Sequence, residues 1–124
     1  MSAGTEQLWA RRIDQLTFEV CCIPFFAYGL ALGDTVECSA EFTIQRRLYC
    51  GGHRTLRIAI SDFANQHEIH EALHGWVLGT GMLHEWYSQG YLAVDVPPSL
   101  QSNLDTSTLD EMCRGNLIEI EFSD

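Results

Sequence analysis

The chain has 124 residues, 46% of them hydrophobic and 19% charged, with a net charge of −10 and a pI near 4.7. That length and composition are those of one globular domain, which excludes a disordered chain and needs no metal or disulfide to fold. The negative charge excludes nucleic acid and anionic membranes as partners, and no apolar run reaches the roughly 20 residues of a membrane span.

Residues 7–13 and 16–22 read as two short strands around an Asp14-Gln15 turn, with Leu16, Phe18 and Val20 on one face of the second. Pro24 ends that strand, since proline has no N–H for the ladder. Residues 25–32 form an apolar loop or a single helical turn. Gly33-Asp34 is a turn before a strand over 35–40; a further strand spans 42–50, and Gly51-Gly52 reads as a hairpin turn. The first half is therefore expected to be a run of antiparallel strands, a curled sheet or small barrel.

The rhythm then changes. Residues 55–60 alternate as a strand, with Leu56, Ile58 and Ile60 on one face. Ser61 or Asp62 is placed to cap a helix over 66–78, where Ile69, Leu73, Trp76 and Val77 recur at helical spacing. Gly79 and Gly81 are expected to end it. Strands over 82–87 and 91–96 flank the hairpin signal Ser88-Gln89-Gly90. Ser107 is placed to cap a second helix closed by Gly115, and 117–122 alternates as a last strand. That order is β-α-β-β-α-β, the ferredoxin-like pattern. The expected fold is α+β in a single domain, with a β-rich half over 1–54 and a ferredoxin-like half over 55–124.

The N-terminus lacks a basic region followed by an apolar one, so no secretory leader is expected. Cys21, Cys22, Cys38, Cys50 and Cys113 are odd in number and contain no C-x-x-C. They read as free, mostly buried thiols in a reducing cytoplasm.

Charge is distributed unevenly. Through Asp62 there are seven acidic residues against six arginines; from Phe63 onward there are ten acidic residues and only Arg114. Such a half either keeps the protein soluble or attracts a basic protein. Arg46, Arg47, Arg54 and Arg57 flank one turn and are expected to pair with nearby acids rather than form an anion site. Pro24-Phe25-Phe26-Ala27-Tyr28-Gly29 sets three aromatics in one loop. They either enter the core or stay exposed as a binding hot spot.

His70-Glu71-Ala72-Leu73-His74 matches H-E-x-x-H, in which two histidines one helical turn apart bind zinc and the glutamate activates water. His67 lies one turn earlier. A catalytic site needs a third protein ligand, and the extended motif would require glycine at Val77 and histidine at Thr80, which are absent. His84 or Glu85 could serve only if the next strand folds back over the helix. The chain is also small for a protease cleft. A solvated helix face is the simpler reading. An adventitious zinc or nickel site at His67, His70 and His74 is more plausible than a catalytic one, and no cofactor is expected. No G-x-S-x-G elbow is present.

Several segments together resemble one bacterial family. They are Leu8-Trp9-Ala10, Ile23-Pro24-Phe25-Phe26-Ala27-Tyr28-Gly29, Leu32-Gly33-Asp34-Thr35-Val36, Gly52-His53-Arg54-Thr55-Leu56-Arg57 and Leu92-Ala93-Val94-Asp95-Val96-Pro97-Pro98. The sequence is similar to the domain of unknown function numbered four-two-six-five, a family of short standalone proteins, over most of the chain. The resemblance implies no activity. By analogy, small orphan proteins of this kind include immunity proteins of toxin systems.

The leading reading is a non-catalytic protein that binds a basic toxin domain. Glu68, Glu71, Glu85, Asp95, Asp110 and Glu111 would face the partner, with Trp76, Trp86 and Tyr87 as anchors. The other readings are a small regulatory or ligand-binding module and, last, a zinc hydrolase using His70, Glu71 and His74.

Overall fold

The computed structural model describes residues 6–123; the reading of a leader-free N-terminus concerns chiefly residues 1–5, which lie outside them. In the first half, alternating residues build four short strands: β1 (Ala10–Asp14), β2 (Thr17–Val20), β3 (Thr35–Cys38) and β4 (Ile44–Tyr49). They pair antiparallel in the order β1-β2-β3-β4. With β1 and β4 at its edges, this is an open meander and not a barrel. Its inner face gathers Phe18, Val20, Val36, Cys38 and Ile44 beneath Leu30 into a small apolar cluster. Its outer face carries cross-strand ion pairs, Arg11 with Glu19 at 2.6 Å and Arg46 with Glu37 at 3.1 Å. Arg47 lies 3.6 Å from Asp34. Arg46 and Arg47 thus face acids, as expected, while Arg12 lies over the rings of Phe18 and Phe42 at 5.2 and 5.8 Å.

The second half contains β5 (Arg54–Ile60), α1 (Gln66–Thr80), β6 (His84–Ser88), β7 (Tyr91–Val96), α2 (Ser107–Arg114) and β8 (Ile118–Ser123). Its sheet has the order β6-β7-β5-β8, with every pair antiparallel. Leu56, Ile58, Ile60, Leu92, Val94, Val96 and Ile118 point to one face, where Ile69, Leu73 and Val77 of α1 and Leu109 of α2 cover them.

Two local expectations are corrected. Gly79 does not end α1 but lies inside it, as does Gly75. Each costs about 1 kcal/mol against alanine, less than the roughly 1.5–3 kcal/mol from each of the three buried apolar side chains of α1. Gly81, at φ 75°, ends the helix in the left-handed conformation. Neither helix has the expected side-chain N-cap: Asn65 and Thr106 occupy those positions, and neither side chain accepts from a helix N–H, Thr106 donating instead to the Asp110 carboxylate at 3.2 Å.

The Gly51-Gly52 hairpin is also corrected, because β4 and β5 belong to different sheets and the turn is a crossing between them. Gly51 runs so close to Gly33 that a Cβ there would stand 2.7 Å from the Gly33 carbonyl oxygen. The Gly51 N–H donates to Asp34 Oδ1, and the Ala31 N–H to Asp34 Oδ2, each at 2.9 Å. Asp34, expected as a turn residue, is fully buried and ties the segment before β3 to the crossing at Gly51.

The second face of the β5–β8 sheet is covered too along its central strands, β5 and β7. Thr55, Arg57, Ala93 and Asp95 point away from the helices and are buried. The cover is the Pro24–Ala27 loop of the first half. The Arg57 side chain, 4% exposed, donates to the carbonyls of Phe25 (2.7 Å), Ala27 (2.8 Å) and Pro24 (3.1 Å) and to Ser123 Oγ. The Tyr91 hydroxyl donates to the same Phe25 carbonyl at 2.7 Å. On the other side of the loop, the Glu6 carboxylate accepts from the N–H groups of Phe25 (2.6 Å), Phe26 (3.0 Å) and Ala27 (2.8 Å). The two halves therefore keep separate apolar clusters and meet through a polar layer.

Removing the guanidinium strands the carbonyls of Pro24 and Ala27, each costing about 1–3 kcal/mol when left unpaired, and takes one of the two donors from that of Phe25. Arg57→Leu is expected to lower the unfolding free energy by about 3 kcal/mol or more in urea denaturation. Arg46→Leu, which breaks an exposed pair, should stay within about 1 kcal/mol of the unchanged chain.

Candidate functional site

The loop held by Arg57 and Glu6 turns Phe25 inward and Phe26 outward. Phe26 meets Tyr87 edge to face, with centroids 4.9 Å apart and planes at 84°, and lies 5.4 Å from Tyr91. Phe25 supports both tyrosines from behind, at 5.3 and 6.2 Å. Tyr87 comes from β6 and Tyr91 from β7, so the β6–β7 hairpin supplies one wall. Phe63, in the 3₁₀ turn Phe63–Asn65 before α1, also lines the groove. Together with Ala59, Ile60, Gln66, Ser88, Gln89 and Gly90 these side chains enclose an open groove of about 560 Å³. Phe26 is 48% exposed, Tyr87 61% and Phe63 75%. Large aromatics clustered at such exposure are typical of interaction surfaces.

The histidine helix lies on the other face of the sheet. The next strand does fold back, and His84 comes within 5.8 Å of His74, ring to ring. His67 is exposed and takes no part in the cluster. His70 donates from Nδ1 to the Gln89 carbonyl at 2.9 Å and packs on Trp86 with centroids 3.9 Å apart. His74 Nδ1 accepts from the Trp86 indole N–H at 3.3 Å. Glu71 is exposed. These contacts fasten the β6–β7 hairpin to α1, and no group of three His, Cys, Asp or Glu side chains that could hold a metal occurs among the described residues.

A second titratable pair lies behind the sheet. His53, at the crossing into β5, sets Nδ1 at 3.0 and 2.8 Å from the two oxygens of Asp95. Asp95 is buried, and burial pushes its carboxyl above the usual range while the bond and charge of His53 pull it back. Beside it on the same face, the buried hydroxyl of Thr55 has no hydrogen-bond partner among the described residues.

The residues expected to face a partner are divided between environments. Glu68 and Glu71 on α1 and Asp110 and Glu111 on α2 are exposed on the helical side. Trp76 and Trp86 are half-buried against the main core, and the Trp76 indole donates to the Asp105 carbonyl at 3.3 Å. Glu85 and Tyr87 are exposed on the opposite side of the sheet. Asp95 is corrected from surface acid to buried partner of His53, since its strand is covered on both faces. Of the expected anchors, only Tyr87 enters the groove; Phe63 and Tyr91 were not anticipated. A lone phenylalanine just ahead of a helix, following Ser61-Asp62, was the available signal.

The cysteines are free, but the expectation of mostly buried thiols is corrected. Cys38 is buried, Cys22 and Cys113 are half-buried, and Cys21 and Cys50 are exposed because they lie just beyond β2 and β4. Burial raises the thiol pKa of Cys22 and of Cys38.

A carboxyl whose pKa is raised by folding stabilises the fold in its protonated form. That contribution is full below the unfolded value, about 3.9, and is lost as pH rises through the folded one. His53→Ala removes the groups that hold Asp95 down. It should move the Asp95 midpoint further up in carboxyl NMR and extend the loss of stability to higher pH in urea titrations. An Asp95 midpoint that falls instead would contradict the pairing.

A solved structure described as a novel crystal structure of a hypothetical protein from Neisseria gonorrhoeae is similar, with a TM-score of 0.65 and 21% identity over 85% of this chain and 72% of that one. At that identity the likeness concerns the fold. No curated protein matches the chain. The sequence matches the family described as Domain of unknown function (DUF4265) over residues 6–119, nearly its whole length, and the chain belongs to that family.

Proposed function

We propose that the chain is a non-catalytic protein-binding protein, most concretely a cytoplasmic immunity protein that neutralises a cognate bacterial toxin through an acidic surface. The observation that carries this reading is the exposed aromatic groove of Phe26, Phe63, Tyr87 and Tyr91. Rigid aromatics held at high exposure supply contact area at low entropic cost and dominate interface energies. The surrounding negative charge would speed capture of a basic partner. We also read β5 to β8 with the two helices as a ferredoxin-like module, supported by the order β6-β7-β5-β8 and by both helices packing on one face. That fold carries no functional argument by itself.

The test is growth rescue. The neighbouring reading frame is expressed alone in a bacterial host, then together with this chain. The proposal expects arrest by the neighbour, rescue by this chain and a co-purifying complex. Tyr87→Ala should weaken that complex by about tenfold, the loss typical of a truncated interfacial aromatic. A harmless neighbour and no complex would overturn the immunity reading.

A further inference from the structure

We infer that the groove is built to take an arginine side chain from a basic segment of a partner protein. The inference rests on the partner-binding reading and adds the chemistry of what enters.

The first support is charge. No lysine or arginine occurs between Arg57 and Arg114, a stretch holding Asp62, Glu68, Glu71, Glu85, Asp95, Asp105, Asp110 and Glu111. Apart from Phe26, every residue lining the groove belongs to that stretch. Asp62 adjoins Phe63, and Glu85 shares the outward face of β6 with Tyr87. The Arg57 guanidinium lies under the loop and is committed to carbonyls, Ser123 Oγ and Glu121 at 3.8 Å. Of these acids, Glu68, Glu71, Asp110 and Glu111 lie on the helical side and Asp95 is buried, while Asp62 and Glu85 are the carboxylates next to groove residues. The groove is apolar in its walls, with acids and, among the described residues, no free cation beside it in the chain, which disfavours an acidic segment.

The second support is ring geometry. Phe26, Tyr87 and Tyr91 stand at 84°, 72° and 48° to one another, so no two of the rings are stacked in parallel, and Phe26 and Tyr87 are 48% and 61% exposed. An aromatic face attracts a cation through its quadrupole. A guanidinium is planar and weakly hydrated, and it stacks on such faces while its N–H groups reach outward for acceptors. The polar edge provides acceptors in the amides of Gln66 and Gln89. A lysine ammonium is a compact, strongly hydrated charge that fits a flat, open aromatic wall less well. The volume of about 560 Å³ falls within the range of about 300–1,000 Å³ usual for ligand-holding clefts, so an arginine can enter with its aliphatic stem.

The experiment is an NMR titration of the whole chain with ethylguanidinium, the arginine head group. N-ethylurea serves as the neutral isostere and n-butylammonium as the lysine analogue, all far below denaturing concentrations. Saturable shifts are expected at the rings of Phe26, Phe63, Tyr87 and Tyr91, with Trp9 and Phe42 of the other sheet unmoved. Binding should weaken about two- to five-fold in Tyr87→Ala and in Phe63→Ala, the loss of one exposed cation–ring contact. Both side chains are exposed, so neither variant threatens the fold. Equal response to ethylurea or to butylammonium, or shifts spread over all exposed aromatics, would overturn the inference. A groove that ignores ethylguanidinium while a partner still co-purifies and is lost on Tyr87→Ala removes the arginine and leaves the partner-binding reading standing.

Discussion

The contact on which the rest of the structure depends is the buried guanidinium of Arg57 against the Pro24–Ala27 loop. A buried cation costs several kcal/mol in lost hydration, and here its hydrogens are met by three carbonyls and Ser123 Oγ, with Glu121 nearby. The loop makes no ladder or helix of its own. Its carbonyls point to Arg57 and its amides to Glu6, so two opposite charges satisfy the backbone groups that secondary structure would otherwise pair. That arrangement covers the second face of the β5–β8 sheet over Arg57 and Tyr91. It also sets Phe26 beside Tyr87 and Tyr91, which makes the groove.

Much of the second half was legible because its strands and its first helix bury one face against one core. Leu56, Ile58 and Ile60 alternate, and Ile69, Leu73 and Val77 recur every four residues. Both periodicities survive single interruptions such as Gly75 and Gly79. The polar layer was not legible. Arg57 and Asp95 look like outward-facing residues of half-exposed strands, and only the long apolar runs around them hinted that both faces were covered. Their partners, Phe25 and His53, lie 32 and 42 residues away in sequence, and no local pattern encodes such a pairing. The Gly51-Gly52 turn misled for a related reason. Two glycines between strands signal a hairpin, but here they allow the close pass by Gly33 that carries the chain from one sheet to the other.

The charge asymmetry gains meaning from this geometry. The arginines of the first half are largely consumed by Glu19, Glu37 and Asp34 or buried with the loop, while the acids of the helices remain in solvent. The aromatic groove lies where the Pro24–Ala27 loop, the β6–β7 turn, the end of β5 and the start of α1 meet. Attraction can therefore act over a wide surface while shape selection is confined to four rings.

The most direct test of the account is amide hydrogen exchange at Phe25, Phe26 and Ala27. If Arg57 and Glu6 hold the loop as described, these three amides are protected like those of β5 and β7, although the loop belongs to no sheet or helix. In Arg57→Leu they lose protection before the β5–β7 ladder does. Exchange of the three amides at the unprotected rate in the unchanged chain would contradict the account.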